Sequence, residues 1–208
     1  MPSPLPLIYV ARHGETAWSR TGQHTGLTDL PLTAQGEAEA LQLGERLREL
    51  SFAHVLVSPL QRARQTCELV GLGKQAEIEP DLVEWNYGDY EGKRTAEIRA
   101  ERPDWQLFRD GCPGGESVAQ ISARADRAIA KLRGLNQNVI LFSSGHISRV
   151  LAARWLGLDA DAGRYFLLTT ASLSTLGYEH NLSEPVIRLW NDNWRATMPA
   201  DDRPAARE

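Results

Sequence analysis

The residues that could do chemistry begin with Arg12-His13-Gly14-Glu15. A neutral imidazole nitrogen can attack phosphorus and hold a phosphoryl group covalently. A guanidinium forks onto phosphate oxygens and stays charged at every working pH. A second arginine, Arg62, a carboxylate, Glu84, and the run Ser144-Gly145-His146 complete the set. Two guanidiniums would steady the equatorial oxygens of a phosphoryl group in transfer. A carboxylic acid would protonate the leaving alcohol and then activate water. That scheme needs neither metal nor cofactor, and the sequence lacks the HExxH or clustered-aspartate spacing of a metal site. Taken singly, each piece has an ordinary structural explanation: a solvated helix arginine, a surface acid, a histidine at a helix start. His24, His54 and His180 are read in that ordinary way, with no role. The set carries weight because its members follow strand-like runs in order, with glycine beside them.

Those runs are the elements that must hold the chemistry in place. Residues 7–11 are continuously apolar and β-prone, as in a strand buried on both faces. Residues 54–57 and 139–142 read likewise, and 172–178 and 186–190 alternate enough to be antiparallel or edge strands. Thr33 is placed to cap a helix whose apolar face carries Ala38, Leu41, Gly44 and Leu47. Ser58-Pro59 reads as a helix start, followed by Leu60, Ala63, Cys67 and Val70 at helical spacing. Ser117 and Gln120 form a capping box before another amphipathic run, and a short helix is expected around 95–101. A further helix should run from the Gly145 turn through Leu156. Strands alternating with helices predict an α/β three-layer sandwich with a mostly parallel central sheet. In such sheets ligands bind beyond the carboxyl ends of the strands, which is where Arg12-His13, Arg62 and Ser144-Gly145-His146 fall.

Composition narrows the rest. With 208 residues, 42% hydrophobic and 24% charged, the chain suits one domain, expected over residues 1–195, with a polar tail at 196–208. A net charge of −4 argues against a nucleic-acid partner but leaves room for arginines to focus a local positive field. Two cysteines, Cys67 and Cys112, give no zinc pattern and are expected to be reduced. No apolar run approaches the ~20 residues of a membrane span, and the start of the chain is a poor signal peptide, so a soluble, cytoplasmic protein is expected. A strand edge near 172–178 would permit a homodimer.

Four segments together resemble the histidine phosphatase superfamily, the phosphoglycerate-mutase-like fold. They are Val10-Ala11-Arg12-His13-Gly14-Glu15-Thr16, then Ser58-Pro59-Leu60-Gln61-Arg62-Ala63-Arg64-Gln65-Thr66, then Glu84-Trp85-Asn86-Tyr87-Gly88-Asp89-Tyr90-Glu91-Gly92, and finally Pro113-Gly114-Gly115-Glu116-Ser117. The resemblance implies that His13 becomes phosphohistidine, that Arg12 and Arg62 grip the phosphoryl group, and that Glu84 is general acid and base. It also implies substrate contacts at Ser19, Gln23, Thr25 and Gly26. The stretch 22–29 with Glu84-Trp85 is most similar to the broad-specificity acid phosphatase and sedoheptulose-bisphosphatase-like branch. Mutases of the family often carry Asn where this chain has Ser19, and they insert segments that this chain lacks. The resemblance therefore implies hydrolysis of a small phosphorylated metabolite, a sugar phosphate, with phosphoglycerate mutase as the alternative.

The sequence departs from the family pattern at one place. Alignment on Gly145 puts Ser144 where the family has its second catalytic histidine, leaving His146 two residues on. Residues two apart on an extended segment face the same way, so His146 could serve from a start about 6–7 Å further along. Otherwise Ser144 supplies one neutral hydroxyl, and losing a transition-state donor costs ~10²–10³ in rate. A phosphate-ester-binding protein with reduced catalysis is then the third reading.

Overall fold

The computed structural model describes residues 4–193; the tail expected at 196–208 lies outside the described residues. The first half of the chain forms β1 (Ile8–Arg12), α1 (Ala17–Thr21), α2 (Ala34–Leu47), β2 (His54–Val57), α3 (Gln61–Leu69) and β3 (Ala76–Ile78). An irregular stretch leads to α4 (Thr95–Glu101), α5 (Leu107–Asp110) and α6 (Val118–Leu135). Then come β4 (Val139–Ser143), α7 (Gly145–Trp155), β5 (Leu173–Tyr178) and β6 (Pro185–Asp192). The strands make one sheet in the order β3-β2-β4-β1-β5-β6. β1 to β4 are parallel to their neighbours among themselves, whereas β5 is antiparallel to both β1 and β6.

Alternation along the strands explains the layers. Ile8, Val10, Val139 and Leu141 face Leu132 of α6 and Leu151 and Trp155 of α7. Tyr9, Ala11, Ile140 and Phe142 face Leu43 and Leu47 of α2 and Ala63 and Cys67 of α3. Helices on both faces make the expected α/β sandwich. A third apolar cluster owes nothing to the strands. Trp85, Tyr87, Tyr90, Trp105 and Phe108, from the irregular stretch, pack on Ile121 of α6 and Ile147 of α7. Cys67 and Cys112 are buried free thiols, and burial pushes both up to about 12, so they stay protonated.

The local signals worked where the backbone obeyed them. Thr33 caps α2 by accepting from Gly36 N–H at 3.1 Å, and Ser117 and Gln120 close their capping box on α6. Ser58 does not cap α3. Its N–H continues the ladder to the Phe142 carbonyl at 3.0 Å, which keeps it extended. The helix starts instead at Gln61, whose N–H is taken by the Asp29 carboxylate at 2.7 Å. β3 carries only three residues with a glutamate at the centre, too little for a periodic signal. The edge near 172–178 is also corrected: β5 lies between β1 and β6 and is buried throughout, so the sheet edge on that side is β6. No helix of the described residues is long and apolar enough to cross a membrane.

Candidate active site

Register brings the strand ends together. Arg12 stands opposite Ser143, and Val57 opposite Phe142. Past the end of β1 the ladder continues, with His13 N–H donating to the Ser143 carbonyl at 3.0 Å and the His13 carbonyl accepting from Ala171 N–H at 3.0 Å. The next turn is pinned by close approach. A Cβ on Gly14 would lie 2.2 Å from the Gly36 carbonyl oxygen, so only glycine lets α2 cross here. Gly14 N–H also donates to the Thr66 hydroxyl, which in turn donates to the Arg62 carbonyl. The loop bearing His13 is thus tied to the helix bearing Arg62 through the Thr66 hydroxyl.

A cavity of about 230 Å³ opens at this point, with Arg12, His13, Glu84 and His146 in its wall. His13 Nδ1 sits 2.7 Å from the Gly14 carbonyl, an acceptor only, so Nδ1 carries the proton and Nε2 keeps its lone pair. Burial first, then Arg62 and Arg12, hold the imidazole well below the usual histidine range. His13 is therefore a neutral base at neutral pH. Arg12 donates through Nη1 to the Leu168 carbonyl, while its buried Nε has no partner. A Cβ on Gly145 would be 3.4 Å from that Nε, so the guanidinium lies against the start of α7.

Arg62 is fully buried and lies behind the cavity wall. Its Nη1 donates to the Thr28 carbonyl at 3.0 Å, and Nη2 to the Thr25 and Gly26 carbonyls at 3.1 and 2.9 Å. Its Nε reaches the Ser144 hydroxyl at 3.4 Å. Ser144 is likewise buried behind the wall, so its hydroxyl serves Arg62. Glu84 is anchored on the amino end of α7: one oxygen accepts from the Trp85 and Ile147 N–H groups, both at 2.8 Å, and the other from His146 N–H at 2.9 Å. Backbone donors at a helix start suit a carboxylate.

His146 lies in the wall with its Nδ1 2.6 Å from the Tyr87 hydroxyl. Burial raises the phenol well above its usual range and lowers this imidazole well below its own. Tyr87 O–H therefore donates to Nδ1, and Nε2 carries the imidazole proton. Of the four expected substrate contacts, Ser19, Gln23 and Thr25 line the cavity and Gly26 does not. Gly26 acts through its backbone, its N–H on Glu91 at 2.7 Å and its carbonyl on Arg62. Ser19 also closes the capping box of α1 with Thr16.

Sequence reasoning missed His24, Tyr87 and Arg149, all in the wall. His24, given no role, stacks 4.7 Å from the Tyr87 ring. Arg149 was legible, since it follows His146 by three positions on an expected helix and so shares its face. His24 and Tyr87 come from irregular segments with no period to reveal them. His54 is half-buried, on Gln137, and His180 is exposed, on Glu184; neither reaches the cavity. Among the described residues, one trio has metal-ligand spacing, Glu179, His180 and Glu184. It is exposed on the β5–β6 turn, at the opposite end of the sheet from His13.

The sequence profile of the histidine phosphatase superfamily (branch 1) matches residues 8–193. The chain is 42% identical over 181 residues to an acid phosphatase of Mycobacterium tuberculosis, spanning 85% of this chain and 89% of that protein. It is 35% identical to the sedoheptulose 1,7-bisphosphatase of Saccharomyces cerevisiae, spanning 91% and 94%. A solved structure of a functionally characterised Mycobacterium tuberculosis reading frame superposes with a TM-score of 0.86 at 38% identity, over 90% of this chain and 98% of that one. The cavity at the strand ends and these relatives agree: the chain belongs to the histidine phosphatase superfamily, branch 1, and is a phosphatase of that family.

Proposed function

We propose that the protein hydrolyses small phosphorylated metabolites, sugar phosphates among them, through a phosphohistidine on His13. The observation that carries this reading is the His13–Gly14 hydrogen bond, which leaves a neutral imidazole with a free Nε2 lone pair at a cavity shared with Arg12 and Glu84. Nε2 attacks phosphorus as the P–O bond to the alcohol breaks. Glu84 delivers a proton to the leaving oxygen. The resulting carboxylate then takes a proton from water as that water attacks phosphohistidine, releasing inorganic phosphate and restoring the imidazole. Arg12, which lines the cavity beside His13, fits the phosphoryl oxygens directly. Arg62 adds its charge from behind the wall, and its Nη1 keeps one hydrogen beyond that given to the Thr28 carbonyl.

An aryl phosphate tests this. Hydrolysis should persist in chelator and fall by at least ~10³ in His13→Ala, since removing a nucleophile leaves only binding and electrostatic catalysis. An unchanged rate in that variant overturns the mechanism. Slow turnover is favoured by one observation: the Ser144 hydroxyl is spent on Arg62 behind the wall. Ser144→His should then raise kcat by roughly 10²–10³, the usual worth of one transition-state donor. No gain would mean that the wall lacks nothing at that position.

A further inference from the structure

Glu84 stands on a segment, 81–86, that belongs to no strand and no α-helix. Its carboxylate is placed by backbone donors, two of them at the start of α7, and the backbone that carries it is held from α6 by Arg124. The Arg124 side chain is only 11% exposed. Its Nη1 donates to the Asp81 carbonyl at 2.9 Å and to the Val83 carbonyl, and its Nη2 to the Glu84 carbonyl at 3.2 Å. Nε and the other Nη2 hydrogen meet the two carboxylate oxygens of Glu116 at 2.9 and 2.8 Å. All five N–H groups of the guanidinium are thereby used.

Glu116 continues the grip. The oxygen that meets Nη2 also accepts from Asn86 N–H at 2.9 Å. The Glu116 backbone N–H donates to the Asn86 carbonyl, and its carbonyl accepts from Trp85 Nε1, both at 2.9 Å. Arg124 and Glu116 therefore fix the chain on both sides of Glu84. A nearly buried Arg–carboxylate pair adds little net stability against well-packed apolar residues. What a planar fork does supply is direction as well as distance. Direction matters here, because a general acid must reach the leaving oxygen within hydrogen-bond distance, and a misplacement of ~1 Å costs up to ~10²-fold. Arg124 does not line the cavity that holds His13, so it acts on the reaction through the segment it holds.

We propose that Arg124, buttressed by Glu116, is a positioning residue for Glu84: its fork holds the backbone at 81–84 so that the carboxyl group meets the leaving oxygen. This rests on the phosphatase reading for the step that Glu84 serves, but its test asks only whether Arg124 works through Glu84.

The test is a double-mutant cycle on an alkyl phosphate, with wild type, Arg124→Gln, Glu84→Gln and the double variant assayed well below their unfolding temperatures. Arg124→Gln should lower kcat about 10- to 100-fold and leave KM unchanged, as for an interaction that matters only in the transition state. In the Glu84→Gln background the same substitution should cost less than about threefold, because the group it positions is already gone. On an activated aryl phosphate, whose leaving group needs no proton, Arg124→Gln should cost less than on the alkyl ester. Glu116→Gln keeps the size but weakens the clamp, so it should show the same pattern at smaller amplitude, and it decides the matter if Arg124→Gln does not fold. An equal loss of kcat from the Arg124 or Glu116 substitution in both backgrounds overturns the proposal, and so does a raised KM at unchanged kcat. The phosphatase reading fails by a different sign: Glu84→Gln losing equally on alkyl and aryl esters removes the acid role, while the coupling between Arg124 and Glu84 is still read from the cycle.

Discussion

The sheet and the wall around the cavity are built on different principles. In the sheet, β1 and β4 are apolar on both faces, and each side chain has its direction set by strand alternation. Behind and in the wall, the cluster of Trp85, Tyr87, Trp105 and Phe108 comes from segments with little regular structure and packs edge to face, as Trp85 on Phe108 at 5.6 Å and Tyr90 on Trp105 at 5.2 Å; of these four Tyr87 lines the cavity. The strand ends deliver Arg12, His13 and the start of α7 in fixed register. The wall delivers Glu84, Tyr87 and His24. Reaction chemistry thus draws on both, while the groups that would choose a substrate stand mostly on the wall. The comparison implies that damage to the sheet lowers stability, and damage to the wall changes rates and preferences.

Glu84 is where the two meet, and after loss of the His13 nucleophile its substitution should have the largest effect. Glu84→Gln keeps the size and removes the proton carrier, so kcat for an alkyl phosphate should fall about 10²–10⁴. An activated aryl phosphate, whose leaving group needs no proton, should fall less. Equal losses on both substrates would take Glu84 out of the acid role.

The sheet side is tested by Trp155. It is fully buried, stacks 5.1 Å from Tyr178, and donates from Nε1 to the Gly177 carbonyl at 3.1 Å. Trp155→Ala should cost about 3–5 kcal/mol by denaturant unfolding, with kcat intact well below the transition. A lost kcat at unchanged stability would break the division between sheet and wall.

How much of this was legible follows the same division. Residues 7–11, 54–57 and 139–142 announced buried strands, and the polar groups after them announced the cavity. Thr33 and the Ser117–Gln120 pair announced their helices because capping is local. Ser58 misled because the Phe142 carbonyl, far away in sequence, held its N–H. That Arg62 would spend its donors on the carbonyls of Thr25, Gly26 and Thr28 could not be read, since the loop folds over it from a distance. The Tyr87–His146 bond joins residues 59 apart through two unrelated segments. Position along the chain gives no warning of such a contact.

The smallest predicted effect is a pH dependence of stability. His13 and His146 are held neutral in the fold, chiefly by burial, whereas each unfolded imidazole takes a proton near 6.5. Below that pH the unfolded state binds more protons, so stability from these groups is full above 6.5 and is lost as pH falls. The loss is at most ~1.4 kcal/mol per pH unit for each histidine. Melting temperatures at pH 7.5 and 5.5 should therefore differ less in His13→Gln than in the wild type. Equal differences would mean that His13 is not held neutral.

The account turns on which atom receives the phosphoryl group. The direct measurement is a rapid mix with a phosphate ester, an alkaline quench that preserves a phosphorus–nitrogen bond, and mass spectrometry of the peptides. A single phosphoryl addition on His13, labile to acid, is the predicted result. Turnover with no adduct on His13, or a phosphoryl group on Ser144 or His146, would contradict it.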